Sequence, residues 1–261
     1  MHTDLETIYF YFGEDELLVD ALGPIKIGVP IDELIYYLNP LFAEKLGIEI
    51  PEKIVQLDPD GKYVALTFDD GPHATVTPRV LETLKEHDAL ATFYMLGSQI
   101  DYYPEMAKRV ADEGHELADH TMSHKFLPKL SYAEIEAEVQ QSNDNMEAAT
   151  GLLPKSLRPP YGAFNDNVKA IAAEKNLPII MWSVDSLDWK HRNVDSIHNR
   201  VMSAVHPGAI ILLHDIHATT ADALPGLLTA LENEGYEMVT VSQLLDLAEL
   251  EGIGPHHGID Y

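Results

Sequence analysis

From Tyr63 to Val241 the chain alternates short apolar runs with amphipathic stretches, and this rhythm restricts the fold more than any other feature. The strand candidates are Tyr63–Phe68, Ala91–Leu96, Glu116–Asp119, Ser156–Arg158, Ile179–Ser183, Ile210–Leu213 and Met238–Val241. Helix candidates lie between them: Thr77–His87, Pro104–Glu113, Tyr132–Thr150, Asp166–Lys175, Val194–Val205 and Ala223–Glu234. Ser131 and Glu134 have the spacing of a capping box for the third helix, and Gly151 supplies its end. Repeated β-α alternation predicts an α/β fold of parallel strands joined by crossover helices. Seven strands suit an imperfect barrel as well as an open sheet, and periodicity does not choose between them.

The first strand runs directly into Thr67-Phe68-Asp69-Asp70-Gly71-Pro72, which puts two adjacent carboxylates at a strand end before a tight turn. Like charges this close repel, and a bound cation is one way to offset them. A solvated Asp-Asp-Gly turn is the plain alternative. Downstream, His120-Thr121-Met122-Ser123-His124 holds two imidazoles four residues apart, which can face one ion if the segment turns helically. With 13 histidines in 261 residues, about 0.6 such pairs arise by chance, so the spacing counts only in combination. Asp70, His120 and His124 together make a two-imidazole, one-carboxylate set, which leaves coordination positions open for water and substrate.

Three further segments follow strand candidates: Arg158-Pro159-Pro160-Tyr161-Gly162, Asp185-Ser186-Leu187-Asp188-Trp189, and Ile210 to Asp215 with His214 at the strand end. In this order the five segments closely resemble the motifs TFDDGP, HTxxH, RxPY, DxxDW and LxH of the polysaccharide deacetylases, carbohydrate esterase family 4, which share the NodB homology domain. The resemblance covers roughly residues 60 to 250. It implies a distorted (β/α)7 barrel whose active site gathers at the C-terminal strand ends. It also implies roles. Asp70, His120 and His124 bind one divalent metal ion, zinc on availability, with cobalt or nickel as alternatives. Asp69 is the general base and His214 the general acid, and the ion lowers the pKa of its water and polarises the acetyl oxygen. Arg158 pairs with Asp69, Asp188 holds His214, and a backbone N–H near Tyr161 serves the oxyanion. Tyr161 and Trp189 wall a sugar-binding groove, and Leu212 receives the acetyl methyl.

The implied reaction removes N-acetyl groups from β-1,4-linked N-acetylglucosamine polymers, chitin or peptidoglycan, with O-acetyl esters of xylan also open. The alternatives are a catalytically silent glycan-binding module on the same fold and a relative that hydrolyses cyclic imides or ureides. Composition narrows the partners: 43 acidic against 17 basic residues give a net charge of −26, which repels nucleic acid and anionic membrane surfaces. A neutral acetylated glycan is the easier substrate electrostatically. Cysteine is absent, which removes disulfides and thiolate ligands. No apolar run is long enough to span a bilayer, and no signal peptide is present; the family nevertheless implies an extracytoplasmic enzyme. Residues 1–56 read as a small α+β extension or accessory piece, with strands near Ile8–Phe12 and Ile25–Val29 and a helix over Ile31–Leu46. Pro51 and Asp58-Pro59-Asp60-Gly61 mark the boundary to a catalytic domain at 57–261.

Overall fold

The computed structural model describes residue 57, residues 61–247 and 254–258, and the backbone of 7–12, 17–18 and 26–30. The chain divides into two units, Met1–Gln56 and Leu57–Tyr261. In the first, β1 (Thr7–Phe12) pairs antiparallel with both β2 (Leu17–Leu18) and β3 (Lys26–Pro30). The helix expected over 31–46 lies outside the described residues.

In the second unit the apolar runs become parallel strands: β4 (Lys62–Asp69), β5 (Thr92–Met95), β6 (Glu116–Asp119), β7 (Val184–Asp185), β8 (Ala209–His214) and β9 (Tyr236–Val239). β4 is central. Residues Val64–Asp69 pair with β8, while Thr67–Asp69 pair with β5 and Lys62–Ala65 with β9. β6 joins β5, and β7 joins β8. Single residues complete the circuit: Leu157 bridges Asp119 and Ile179, Ile180 bridges His256, and Gly258 bridges Ala209. The sheet therefore curls round as a distorted (β/α)7 barrel.

Both faces of these strands are covered, which explains the unbroken apolar runs. Strand pleat sends Val64, Leu66, Phe68, Ile211 and Leu213 outward against helix residues such as Leu81, Leu84, Leu224 and Leu228. The opposite parity, Tyr63, Ala65, Tyr94, Ala118, Ile180 and Ile210, fills the barrel. Continuing that inward parity along β4 and β8 reaches Thr67 and Asp69 on one strand, and Leu212 and His214 on the other. The barrel's own alternation thus aims these side chains toward one end.

Helix Tyr132–Thr150 has the predicted bounds, with the Ser131–Glu134 capping box formed and Gly151 left-handed at φ 76°. Several expectations need correction. Ser156–Arg158 is reduced to one bridging residue, Leu157. The last strand is Tyr236–Val239, and Val241 opens helix Val241–Leu247. The helix expected from Ala223 begins at Ala218 and carries Pro225 in its interior. Helices Gly97–Tyr102 and Asp188–His191 are too short to show periodicity in sequence. His256, expected in a loose tail, accepts a 2.7 Å bond from the Met181 N–H, so that segment is part of the barrel wall. Among the described residues, no helix is long and apolar enough to cross a membrane.

Candidate active site

Parallel register decides the first contact of the site. β4 and β8 are aligned so that Asp69 lies opposite His214, and Thr67 opposite Leu212. Residues 145 positions apart in the chain therefore become neighbours at one barrel end. The chain then leaves β4 through Asp70, which adopts a left-handed φ of 74°, and a cis Gly71–Pro72 bond. Gly71 is required by close packing: a Cβ there would meet both Asp215 carboxylate oxygens at 2.3 Å. Asp215 in turn accepts from the Thr77 hydroxyl, and its other oxygen, Oδ1, is buried without a partner. Burial pushes the Asp215 carboxyl up to about 7, the Thr77 hydrogen bond opposing it.

After β6, the segment His120–His124 is a bend rather than the helical turn expected. Asp119 accepts a 2.6 Å bond from the Thr121 N–H, and Thr121 and His124 take φ values of 71° and 58°. Glu138, a buried residue of helix Tyr132–Thr150, clamps the bend from behind. Its carboxylate accepts from the Ser123 N–H at 2.8 Å and the Ser123 hydroxyl at 2.7 Å, and pairs with Lys125 at 2.7 Å. The two imidazoles meet edge to face with centroids 5.0 Å apart.

These loops bring Asp70, His120 and His124 together, with one ligand atom of each within 4.8 Å of the others. Asp70 Oδ1 lies 3.6 Å from His120 Nε2 and 3.5 Å from His124 Nε2, too far for hydrogen bonds. A divalent ion with bonds of about 2.1 Å at tetrahedral angles holds neighbouring ligand atoms about 3.4 Å apart. Asp70 Oδ1 is buried and has no hydrogen-bond partner. His120 Nδ1–H donates to the Arg158 carbonyl at 2.6 Å, which leaves Nε2 with its lone pair toward the gap. Burial, then the neighbouring His120, lowers the His124 pKa and keeps that ring in the neutral, ligating form. The residues fit a metal ion.

Asp69 is almost buried, and Arg158 is fully so. Arg158 Nη1 donates to Asp69 Oδ1 at 2.7 Å and to Thr67 Oγ1 at 2.7 Å, while Nε and Nη2 bond the Ile180 and Met181 carbonyls. Its guanidinium carbon lies 3.9 Å from the Tyr94 ring centroid. Every face of this buried cation is thus compensated, and the expected Arg158–Asp69 pair is present. Asp69 Oδ2 is 3.7 Å from His120 Nε2, at the edge of the metal gap.

On the other side, His214 Nδ1 lies 2.7 Å from Asp188 Oδ1. Asp188 Oδ2 accepts from the His214 N–H at 2.8 Å and the Thr220 hydroxyl at 2.7 Å. Burial disfavours charge on both groups, but these bonds and the mutual attraction outweigh it. The imidazolium is raised to about 9, and the Asp188 carboxyl is lowered. Trp189 is 48% exposed and Tyr161 66%, so neither is a core aromatic. Tyr161 packs edge-on against His124 at 4.6 Å, with φ 61°. Its N–H donates to no described residue, as an oxyanion donor requires. Leu212 is buried one pleat below His214. Thus all ten residues singled out in sequence line one barrel end, and Glu138, Thr220, Asp215 and Gly71 join them.

A family model described as polysaccharide deacetylase matches residues 56–180. The chain is 40% identical to the structure of the peptidoglycan deacetylase PdaC from Bacillus subtilis, with a TM-score of 0.71 over 74% of this chain and 94% of that one. The chain belongs to the polysaccharide deacetylase family. It is 41% identical over 224 residues to the peptidoglycan-N-acetylglucosamine deacetylase PgdA of Listeria monocytogenes, covering 86% of this chain but 47% of the relative. The chain thus spans about half the length of that curated relative. A family 4 acetyl xylan esterase from Clostridium thermocellum, in complex with a cobalt ion, gives a TM-score of 0.69 at 30% identity, over 73% of this chain and 93% of that one.

Proposed function

We propose that this protein is a metal-dependent deacetylase that hydrolyses N-acetyl groups on β-1,4-linked amino-sugar polymers. The observation that carries the reading is the pairing of Asp69 with His214 across β4 and β8, beside the Asp70, His120 and His124 gap. A base and an acid on adjacent strands flank the place where an acetyl group can lie.

Asp70, His120 and His124 would hold the ion, which supplies Lewis acidity toward water and the acetyl oxygen. Zinc is the ion we assign on availability, and cobalt or nickel suit the same donors. Asp69, with Oδ1 held by Arg158, has Oδ2 free to take a proton from attacking water. His214, tied through Nδ1 to Asp188, presents Nε2 as the proton donor to the departing amine. The Tyr161 N–H donates to the developing oxyanion. Leu212 receives the acetyl methyl, and Trp189 and Tyr161 offer exposed ring faces to the sugars. The same set of groups serves O-acetyl esters, a second reading favoured by the structural likeness to an acetyl xylan esterase. An acetylated wall or plant polymer implies action outside the cytoplasm. Residues 1–56 are assigned a structural or linker role, and the catalytic domain is 57–261.

Acetate release from acetylated glycans, followed before and after chelation and after metal is restored, tests the proposal. Undiminished release from fully chelated protein would reject it. Asp69→Asn is expected to bind metal yet lose most turnover, and normal rates in that variant would remove Asp69 as the base.

A further inference from the structure

We propose that Phe126 and Lys129 form a subsite for a carboxylate-bearing sugar beside the one that is deacetylated, so that the favoured substrate is an anionic glycan such as peptidoglycan. The inference rests on the deacetylase reading above and deepens it.

The loop that leaves the metal ligand His124 carries Lys125, Phe126 and Lys129. It is anchored from below: Leu127 is fully buried among Ile135, Val139 and Leu157. The 3-10 turn Leu127–Lys129, with the Lys129 N–H bonded to the Phe126 carbonyl at 3.1 Å, holds the other two side chains outside. Phe126 remains 42% exposed although its neighbour found the core. Its ring lies 6.1 Å from Tyr161, which lies 4.6 Å from His124. A continuous aromatic shelf therefore leads away from the metal gap, and such faces take pyranose rings.

Lys129 Nζ lies 5.7 Å from the Phe126 ring centroid. The chain holds only 17 basic residues against 43 acidic ones, and among the described lysines Lys108, Lys125 and Lys169 sit in ion pairs. Lys125 in the same loop takes Glu138. Lys129 enters no ion pair among the described residues. A cation kept on an aromatic face, in a chain of net charge −26, offers a local positive point where the overall field is negative. A neutral chitin or xylan chain has no use for it. A sugar carrying a lactyl or peptide carboxylate does, because stacking on Phe126 brings that group within reach of Nζ.

The test compares acetate release by metal-loaded enzyme from chitotetraose and from a tetramer whose alternate sugars carry a lactyl carboxylate. In Lys129→Ala the ratio of kcat/KM, anionic over neutral, is expected to fall about 3- to 5-fold, the scale of one exposed charge pair. In Lys129→Glu it falls further, and added salt narrows the gap between these variants and the wild type. Phe126→Ala raises KM for the anionic tetramer more than it lowers kcat. A ratio that both lysine variants leave at the wild-type value overturns the proposal. Calorimetry with the deacetylated anionic tetramer, a product the enzyme cannot turn over, separates the two readings. Binding weakened by Lys129→Glu, with no acetate released from any glycan by wild type, keeps the subsite and sinks the deacetylase. Turnover with binding that Lys129→Glu leaves unaltered keeps the deacetylase and removes the subsite.

Discussion

Asp188→Asn isolates the charge that keeps His214 protonated, as its proposed role as acid requires. Asp188 is completely buried and its two oxygens accept from His214 Nδ1, the His214 N–H, Thr220 and the Trp189 N–H, all at 2.7–2.8 Å. Asparagine keeps the shape but removes the negative charge. Burial alone lowers the pKa of His214, and with Asp188 present it stands at about 9 instead of 6.5. The net rise is about 3 kcal/mol in favour of the imidazolium, and Asp188, through its hydrogen bond and its charge, contributes most to it, ahead of Asp69 and Asp70. In the variant the ring should titrate well below 9. With a return to the ordinary 6.5, protonation alone reduces the acid form about 10-fold at pH 7.5.

The assay is an imidazole NMR titration of the metal-free protein, paired with the pH dependence of kcat for the loaded enzyme. A bound divalent ion repels the imidazolium and moves both alkaline limbs down, so the difference between wild type and variant is the quantity to read. The same shift links to stability. A raised folded pKa stabilises the fold fully below pH 6.5, and the contribution disappears as pH rises through about 9. Wild type should thus lose about 3 kcal/mol over that window, and the variant should lose much less. If Asp188→Asn keeps a His214 titration near 9, the account of the acid is wrong.

Two other substitutions probe the supports of the metal gap. Gly71→Ala puts a Cβ at 2.3 Å from the Asp215 carboxylate and should destabilise the protein by about 2 kcal/mol. Calorimetric melting checks this, and adding Asp215→Ala to the same chain should recover part of the loss, whereas additive losses would show that the collision is not the cause. Glu138→Leu removes the clamp on Ser123 and Lys125, so metal affinity measured by competition should fall about 10- to 100-fold. Glu138→Gln, which still accepts from Ser123, should recover part of that affinity, and equal affinities in all three proteins would remove Glu138 from the site.

The fold was readable because both faces of each strand are covered, so strands appear as solid apolar runs and helices as amphipathic ones. Tyr63–Phe68 and Tyr132–Thr150 needed nothing else. Legibility failed where a barrel station is a single residue. Leu157 is held by bridges to Asp119 and Ile179 on either side, a tertiary constraint with no local signature. His256 likewise enters the wall through backbone bonds to Ile179 and Met181, which any residue could make. The left-handed residues Asp70, Thr121, His124, Tyr161 and Leu187 are also invisible to pattern. None is glycine, and each conformation is imposed by the contacts around it.

For the site, motifs supplied the residue types, but geometry came from register. Shifting β8 by one residue against β4 would turn His214 outward, where Leu213 now packs on helices, and would leave Asp69 facing a leucine. The sequence contains no statement of that register. It follows from burying Ile211 and Leu213 on one face while Ile210 packs on the other, with Leu212 buried at the same parity. Asp69 and His214 are therefore positioned by the hydrophobic residues that precede them. The polar partners only refine that placement: Arg158 reaches Asp69 from inside the barrel, and Asp188 grips both the ring and the backbone of His214. The proposed acid–base pair inherits its spacing from the core, so Leu213 and Gly71 support the candidate site as well as the acids and imidazoles around it.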